Sequence, residues 1–129
     1  MFRYITISTI LTLAIIYIVP FVTYSVFSIV TGLQPPESES PMQFLVSLFV
    51  SKVGTAIAFV LLFYFARPSY SDRWLLYAFT WWLMFVIGEV GQAIGPNYSW
   101  TEAIAGMISE TIYFPLSAFV VNGLIGRIA

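Results

Sequence analysis

The chain has 129 residues, of which 60% are hydrophobic and 9% charged, and its formal net charge at pH 7 is −1. Soluble domains carry roughly a quarter charged residues, so this composition excludes a soluble globular protein and indicates a membrane protein. The chain contains no cysteine and no histidine, which excludes disulfides, thiolate and imidazole metal sites and Ser-His catalysis. We therefore expect no cofactor and no metal, and without a basic cluster we expect no nucleic acid partner.

Long apolar runs are the main structural signal in the sequence. A helix rises about 1.5 Å per residue, so about 20 apolar residues cross the roughly 30 Å hydrocarbon core of a bilayer. The predicted fold is all-α: one integral membrane domain over residues 1–129, built as a four-helix bundle with antiparallel up-down topology and short loops. Its helices are predicted at about residues 4–30, 42–66, 74–95 and 103–126.

The first predicted helix begins directly after Arg3 and imitates the start of a signal peptide. Its apolar core is far longer than the roughly 7 to 15 residues of a signal peptide, and no small-x-small cleavage site follows it. We expect this helix to be retained and to end at Thr31-Gly32. Pro20 is expected to bend it without ending it, because neighbouring helices can satisfy the freed carbonyl.

Proline, glycine and polar residues mark the other helix ends. The stretch from Gln34 to Pro41 predicts a loop before the second helix, and Gly95-Pro96-Asn97 ends the third. Thr101 is predicted to cap the fourth helix, with Glu102 as its first-turn acid. Small residues three or four apart give the second helix a face that another helix can approach closely: Ser47, Ser51, Gly54 and Ala58.

The arginines fall on one side of the predicted bundle. They lie in the N-terminal tail, the second loop and the C-terminal tail, at Arg3, Arg67, Arg73 and Arg127. The opposite loops hold acids and no basic residue: Glu37, Glu39 and Glu102. The positive-inside rule then predicts that both termini are cytoplasmic. The expected location is the cytoplasmic membrane of a prokaryote.

Three charged residues fall at bilayer depth inside the predicted helices, namely Lys52, Glu89 and Glu110. Side chains lean toward the N-terminus of their helix, which brings Lys52 outward and Glu89 inward, toward a shared depth. We predict that the three groups converge in one layer and that Lys52 pairs with one of the acids. Two carboxylates and one ammonium are costly together in a low dielectric, so one acid is expected to carry a proton near neutral pH.

Helical spacing places both acids on faces rich in small and polar residues. On the fourth helix this face holds Gly106, Ser109, Glu110, Tyr113 and Ser117. On the third it holds Gly88, Glu89, Gln92 and Gly95, and continues inward through Phe85 and Trp82. Trp82, Phe59 and Tyr113 would line a pocket for an organic cation, although packing is the commoner role of aromatic side chains. The predicted substrate or proton site is the set Lys52, Glu89, Gln92, Glu110, Tyr113 and Trp82.

Two functions fit this pattern. The first is a proton-linked transporter or channel-like protein that uses the Lys/Glu/Glu cluster, because ionisable residues inside membranes are functional candidates by default. The alternative is an accessory or assembly subunit of a larger membrane complex, with the cluster as interhelical glue and Gly91 and Gly95 in GxxxG spacing. An enzyme is the weakest class, since Ser51 and Lys52 are adjacent and do not face each other. The partners considered are the lipid bilayer, a small molecule or ion, and a second copy or larger membrane complex.

Overall fold

The computed structural model describes residues 2–33 and 40–126 of the chain. These residues form α1 (Phe2–Thr31), α2 (Pro41–Phe65), α3 (Arg67–Tyr70), α4 (Trp74–Ile94) and α5 (Trp100–Ile125). The helices α1, α2, α4 and α5 are each long and apolar enough to cross a membrane, which confirms the predicted all-α four-helix fold. The short helix α3 lies within the predicted second loop. Glu37, Glu39 and Arg127, used in the topology prediction, lie outside the described residues.

The helix starts follow from side-chain capping. Ser40 Oγ accepts a hydrogen bond from the Gln43 backbone N–H at 3.1 Å and caps α2. At α5, Ser99 Oγ accepts from the Glu102 N–H at 3.1 Å, while the Glu102 carboxylate accepts from the Ser99 N–H at 2.9 Å. Because of this reciprocal capping box, α5 begins at Trp100 and not at the predicted residue 103. Its cap is Ser99, so the prediction of Thr101 was wrong.

Helix α5 is the central helix of the bundle. In the most apolar 18-residue stretch of α5, 50% of the residues are buried. The corresponding share is 17% in each of the other three long helices. It packs along both α1 and α4, whereas α2 packs mainly against α1. Pro20 lies inside α1 without ending it, as predicted, and Pro115 lies inside α5. Gly32, with a left-handed φ of 75°, follows the last residue of α1.

Aromatic side chains fill the half of the bundle that lies toward the end carrying α3. We call this the basic end because it holds Arg67 and Arg73. The ring centroids of Phe59 and Tyr77 are 4.9 Å apart, and those of Phe59 and Trp81 are 5.3 Å apart. The Tyr77 hydroxyl also donates to the Phe59 backbone carbonyl. Side chains from α2, α4 and α5 therefore close this part of the bundle. We call it the aromatic half, formed by Phe59, Phe63, Tyr77, Trp81 and Phe114.

The opposite end, which we call the acidic end, is formed by the last turn of α1, the first turn of α2 and residues 95–99 between α4 and α5. Here α2 buries little of its surface: from Met42 to Ser51 every side chain is exposed except Phe44, which is half-buried. On α4, Gly88, Gly91 and Gln92 are exposed as well. The buried side chains of α2 and most of those of α4 thus lie toward the basic end, and toward the acidic end the side chains of α2 are mostly exposed.

Candidate functional site

Glu110 is the most buried charged residue among those described, with only 4% of its surface exposed. It owes this burial to its position near the middle of the central helix α5. The whole polar face predicted around it is buried, including Gly106, Ser109, Tyr113 and Ser117. Ser109 satisfies its own hydroxyl by donating to the Ala105 carbonyl at 2.9 Å, so it offers Glu110 no proton.

Glu89 approaches Glu110 from α4 and rests on Gly106. A methyl group added at Gly106 would lie 2.6 Å from the Glu89 carboxyl carbon and 2.9 Å from its Oε2. A side chain at position 106 would force this carboxyl group to move. The close packing of α4 against α5 at Gly106 therefore fixes where Glu89 sits.

The carboxyl groups of Glu89 and Glu110 meet each other. Glu110 Oε1 is fully buried and has no hydrogen-bond donor among the described residues. Two ionised carboxylates are both acceptors only, so their contact becomes a hydrogen bond when one of them carries a proton. A single shared proton would turn this contact into a hydrogen bond and remove the repulsion between like charges.

Tyr98, from the connection between α4 and α5, covers Glu89 on the side of the acidic end. Its hydroxyl donates to Glu89 Oε2 at 2.6 Å, and it lies 3.4 Å from the backbone carbonyl of Glu102. Tyr24 of α1 reaches the same place, with its hydroxyl 3.3 Å from that of Tyr98 and 3.2 Å from the Glu102 carbonyl. Burial, followed by the hydrogen bond to Glu89, raises the pKa of the Tyr98 phenol well above its ordinary value, so Tyr98 stays a donor at neutral pH.

Lys52 reaches the same layer from α2. It is half-buried, and its Nζ lies 5.3 Å from the centre of the Tyr113 ring, a cation–π distance. It interacts electrostatically with Glu110 and, more weakly, with Glu89. Neither carboxylate comes within the 4.0 Å of Lys52 Nζ that defines an ion pair. The three charges therefore share a layer, but the direct Lys–Glu pair that the sequence suggested is not formed.

Two of the predicted site residues lie apart from this layer. Gln92 is exposed, and no hydrogen bond of its side chain ties it to the acids among the described residues. Trp82 donates its indole N–H to the Thr111 hydroxyl at 2.9 Å and stacks on Phe79. The neighbouring Trp81 instead lies beside Phe59, because successive residues of a helix point about 100° apart.

Three residues of the site were missed as contributors by the sequence analysis. Tyr98 stands just before the Ser99–Glu102 capping box, a pattern visible in the sequence, but nothing there shows that its hydroxyl turns back onto Glu89. Tyr24 is one of several hydroxyl-bearing residues of α1. Gly106 was placed on the correct face, but the sequence did not show that the Glu89 carboxyl group packs directly against it.

Comparison with protein families, with characterised proteins and with solved structures finds no match to this chain. The function must therefore be argued from the site itself.

Proposed function

We propose that this integral membrane protein is a proton-linked transporter whose proton site is the pair Glu89 and Glu110. The observation that carries the proposal is the buried carboxyl group of Glu110, which interacts with the Glu89 carboxyl and whose Oε1 has no donor among the described residues. Buried acids in a membrane span are costly and are commonly retained for function. A pair that needs one proton to be satisfied is suited to take up and release that proton.

Lys52 supports this assignment through charge balance. With Lys52 charged and one proton on the acid pair, the layer carries no net charge. Loss of that proton leaves one uncompensated negative charge in a low dielectric, a state that is strongly unfavourable. Release of the proton would therefore be linked to the arrival of another cation or to a movement of the helices, and this linkage is what couples a proton to transport.

The orientation belongs to the same proposal. Tyr24 and Tyr98 lead from Glu89 toward the acidic end, whereas Arg3, Arg67 and Arg73 mark the other end of the bundle. By the positive-inside rule the acidic end faces the outside, and the acid pair exchanges its proton with the outer phase across a cytoplasmic membrane.

Labelling with an impermeant thiol reagent tests the orientation, since the chain has no cysteine of its own. Asn97→Cys and Ser69→Cys place single thiols at exposed positions of opposite ends. We expect Asn97→Cys to react from outside intact cells and Ser69→Cys to react only after the membrane is opened. The reverse pattern would overturn the orientation.

Infrared difference spectroscopy of the carboxyl band in lipid tests the proton site. We expect a protonated carboxyl band that changes between about pH 5 and about pH 9, the range in which a functional proton site must respond. Glu89→Gln and Glu110→Gln should each remove this change. Glu102→Gln is the matched control, because Glu102 sits in the capping box and should leave the band intact. A wild-type protein without a titrating carboxyl in this range would rule out the transport proposal.

The second candidate function is an accessory or assembly subunit, and the exposed small residues favour it. Ser47, Ser51 and Gly54 of α2 are exposed, and a methyl group added at Gly54, Gly88 or Gly91 would meet no atom within 4 Å. Small-residue faces are where helices associate in membranes. Gly54→Leu should then break up a larger complex, measured by native mass in detergent. The control Gly123→Leu, at an exposed glycine with the same free space, should not.

A further inference from the structure

We propose that Tyr98 is a positioning residue that responds to the charge on Glu89, the member of the acid pair nearer the acidic end, donating its one hydroxyl proton to Glu89 when that carboxylate is charged and to the Glu102 carbonyl when the proton of the pair is on Glu89. This inference rests on the proposed proton site and extends it to the connection at the acidic end. It assigns a role to a residue that does not itself carry the exchanged proton.

The hydrogen-bond geometry gives Tyr98 two acceptors and one donor. Glu89 Oε2 is 2.6 Å from its hydroxyl and the Glu102 carbonyl is 3.4 Å away, so in this structure the proton goes to Glu89. A phenol has a single O–H and cannot donate fully to both. Once Glu89 is neutral, its oxygen is a much weaker acceptor, and the carbonyl becomes the better partner.

Tyr24 strengthens this dependence. Its hydroxyl also has one proton and also faces two acceptors, the Tyr98 oxygen at 3.3 Å and the Glu102 carbonyl at 3.2 Å. If Tyr98 turns to the Glu102 carbonyl, the two phenols share that acceptor, whose oxygen has two lone pairs, and the Tyr98 oxygen also stays within reach of the Tyr24 proton. The change at Tyr98 therefore reaches α1 through Tyr24.

The Glu102 carbonyl belongs to the first turn of α5, whose capping box begins at Ser99, the residue after Tyr98. The charge on a buried acid is thereby connected to the place where α1, α4 and α5 meet at the acidic end. Titratable and charged groups face this network from every long helix and from the connection: Tyr24, Lys52, Glu89, Tyr98, Glu102, Glu110 and Tyr113.

The test is the pH titration of the carboxyl band in Tyr98→Phe, which keeps the ring and removes the donor. In the wild type the hydrogen bond from Tyr98 stabilises the charged form of Glu89. Its removal in Tyr98→Phe therefore favours the protonated form. We expect the titration midpoint to move to higher pH by about 1 to 2 pH units, the size of a hydrogen bond to a charged group. Tyr17→Phe is the matched control, since Tyr17 of α1 packs edge-on against Phe49 and should leave the midpoint unchanged.

A second measurement uses the unmodified protein and so does not depend on the folding of the variant. The tyrosine C–O band in the infrared difference spectrum should change with the same midpoint as the part of the carboxyl band that Glu89→Gln removes, and Glu89→Gln should abolish the change. A midpoint that is the same in wild type and Tyr98→Phe, or a tyrosine band that does not follow the carboxyl band, would overturn the role of Tyr98 while leaving the proton site standing. Absence of any carboxyl titration in the wild type would instead overturn the proton site.

Discussion

The two halves of the bundle bury different kinds of side chain and are closed in different ways. In the aromatic half, Phe59 touches rings from α4 and α5 and is 1% exposed. In the acid layer, Glu89 and Glu110 meet over Gly106, and Tyr98 holds Glu89 through a hydrogen bond. The first half is filled by large rings, whereas the second depends on a few polar contacts.

This difference suggests that the aromatic half provides stability and that the acid layer provides the response to protons. Aromatic packing gains energy from many contacts and does not respond to pH, so it can serve as a fixed base for α2, α4 and α5. The acid layer lies next to the first half of α2, whose side chains are mostly exposed, so few buried contacts within the chain oppose movement there. A change in charge there can move helix ends without disturbing the base. The predictions below test whether stability and proton response are separated in this way.

The largest effect on stability is expected from Phe59→Ala in the aromatic half. Removing a buried ring that contacts Tyr77, Trp81 and Phe114 leaves a cavity, at a cost of about 3 kcal/mol of unfolding free energy. This is the low end of the range for soluble proteins, because lipid solvates the exposed ring in the unfolded protein. Reversible unfolding in micelles, followed by circular dichroism, measures it.

Phe49→Ala is the matched control from the other half of α2. Phe49 is 47% exposed, so we expect a change of under about 0.5 kcal/mol. If Phe59→Ala keeps the pH response of the carboxyl band, stability and proton response are separate. Equal losses in the two variants would mean that the halves do not differ as described.

A smaller effect is expected from Gly106→Ala in the acid layer. The added methyl group would meet the Glu89 carboxyl, and overpacking of this kind costs about 1 to 3 kcal/mol, from which the helix-propensity gain of about 1 kcal/mol is subtracted and which falls further as far as the flexible Glu89 side chain can turn away. In addition, the carboxyl band should change, because Glu89 must move away from Glu110. Combining Gly106→Ala with Glu89→Ala should recover part of the lost stability, and this non-additivity identifies Glu89 as the group in contact.

Gly88→Ala provides the control for helix propensity. A methyl group at Gly88 meets nothing within 4 Å, and replacing a helical glycine by alanine favours the helix by about 1 kcal/mol. Gly88→Ala should therefore be neutral or stabilising with an unchanged carboxyl band. A similar loss of stability in Gly88→Ala and Gly106→Ala would show that the contact between Glu89 and Gly106 is not the cause.

The sequence was sufficient for the fold and for the layer of charges, because both follow from periodicity. Apolar runs of spanning length specify the four long helices, and helical spacing put Glu110 on the buried face of α5. The end of α1 before Gly32 could also be predicted, because glycine adopts the left-handed conformation that often ends a helix. The start of α5 was misplaced because Thr101 resembles a cap, although Ser99 with Glu102 gives the stronger pattern.

The contacts within the site could not be derived in the same way. Periodicity gives the face of a residue to within roughly one helix position, which is too coarse to choose Trp81 over Trp82 for the place beside Phe59. The contact between Tyr98 and Glu89 depends on the path of residues 95–99, which has no periodicity. The distance of Lys52 from the acids depends on how far α2 stands from α5, a quantity set by packing and not by sequence spacing.

The smallest expected effect concerns the helix caps of the acidic end. Ser99→Ala removes the capping box of α5 and should cost about 1 kcal/mol of unfolding free energy. Ser40→Ala removes a comparable hydrogen bond at the start of α2, but the residues that follow are exposed and this end can open locally before the bundle unfolds. We therefore expect a clearly smaller global loss for Ser40→Ala, with faster hydrogen exchange confined to the first turns of α2. Ser99→Ala should also speed exchange around Tyr98 and broaden the carboxyl titration, because the capping box precedes the carbonyl that Tyr98 and Tyr24 share. A larger global loss at Ser40 than at Ser99 would mean that the first half of α2 is held as firmly as α5, and the contrast between the two halves would fail.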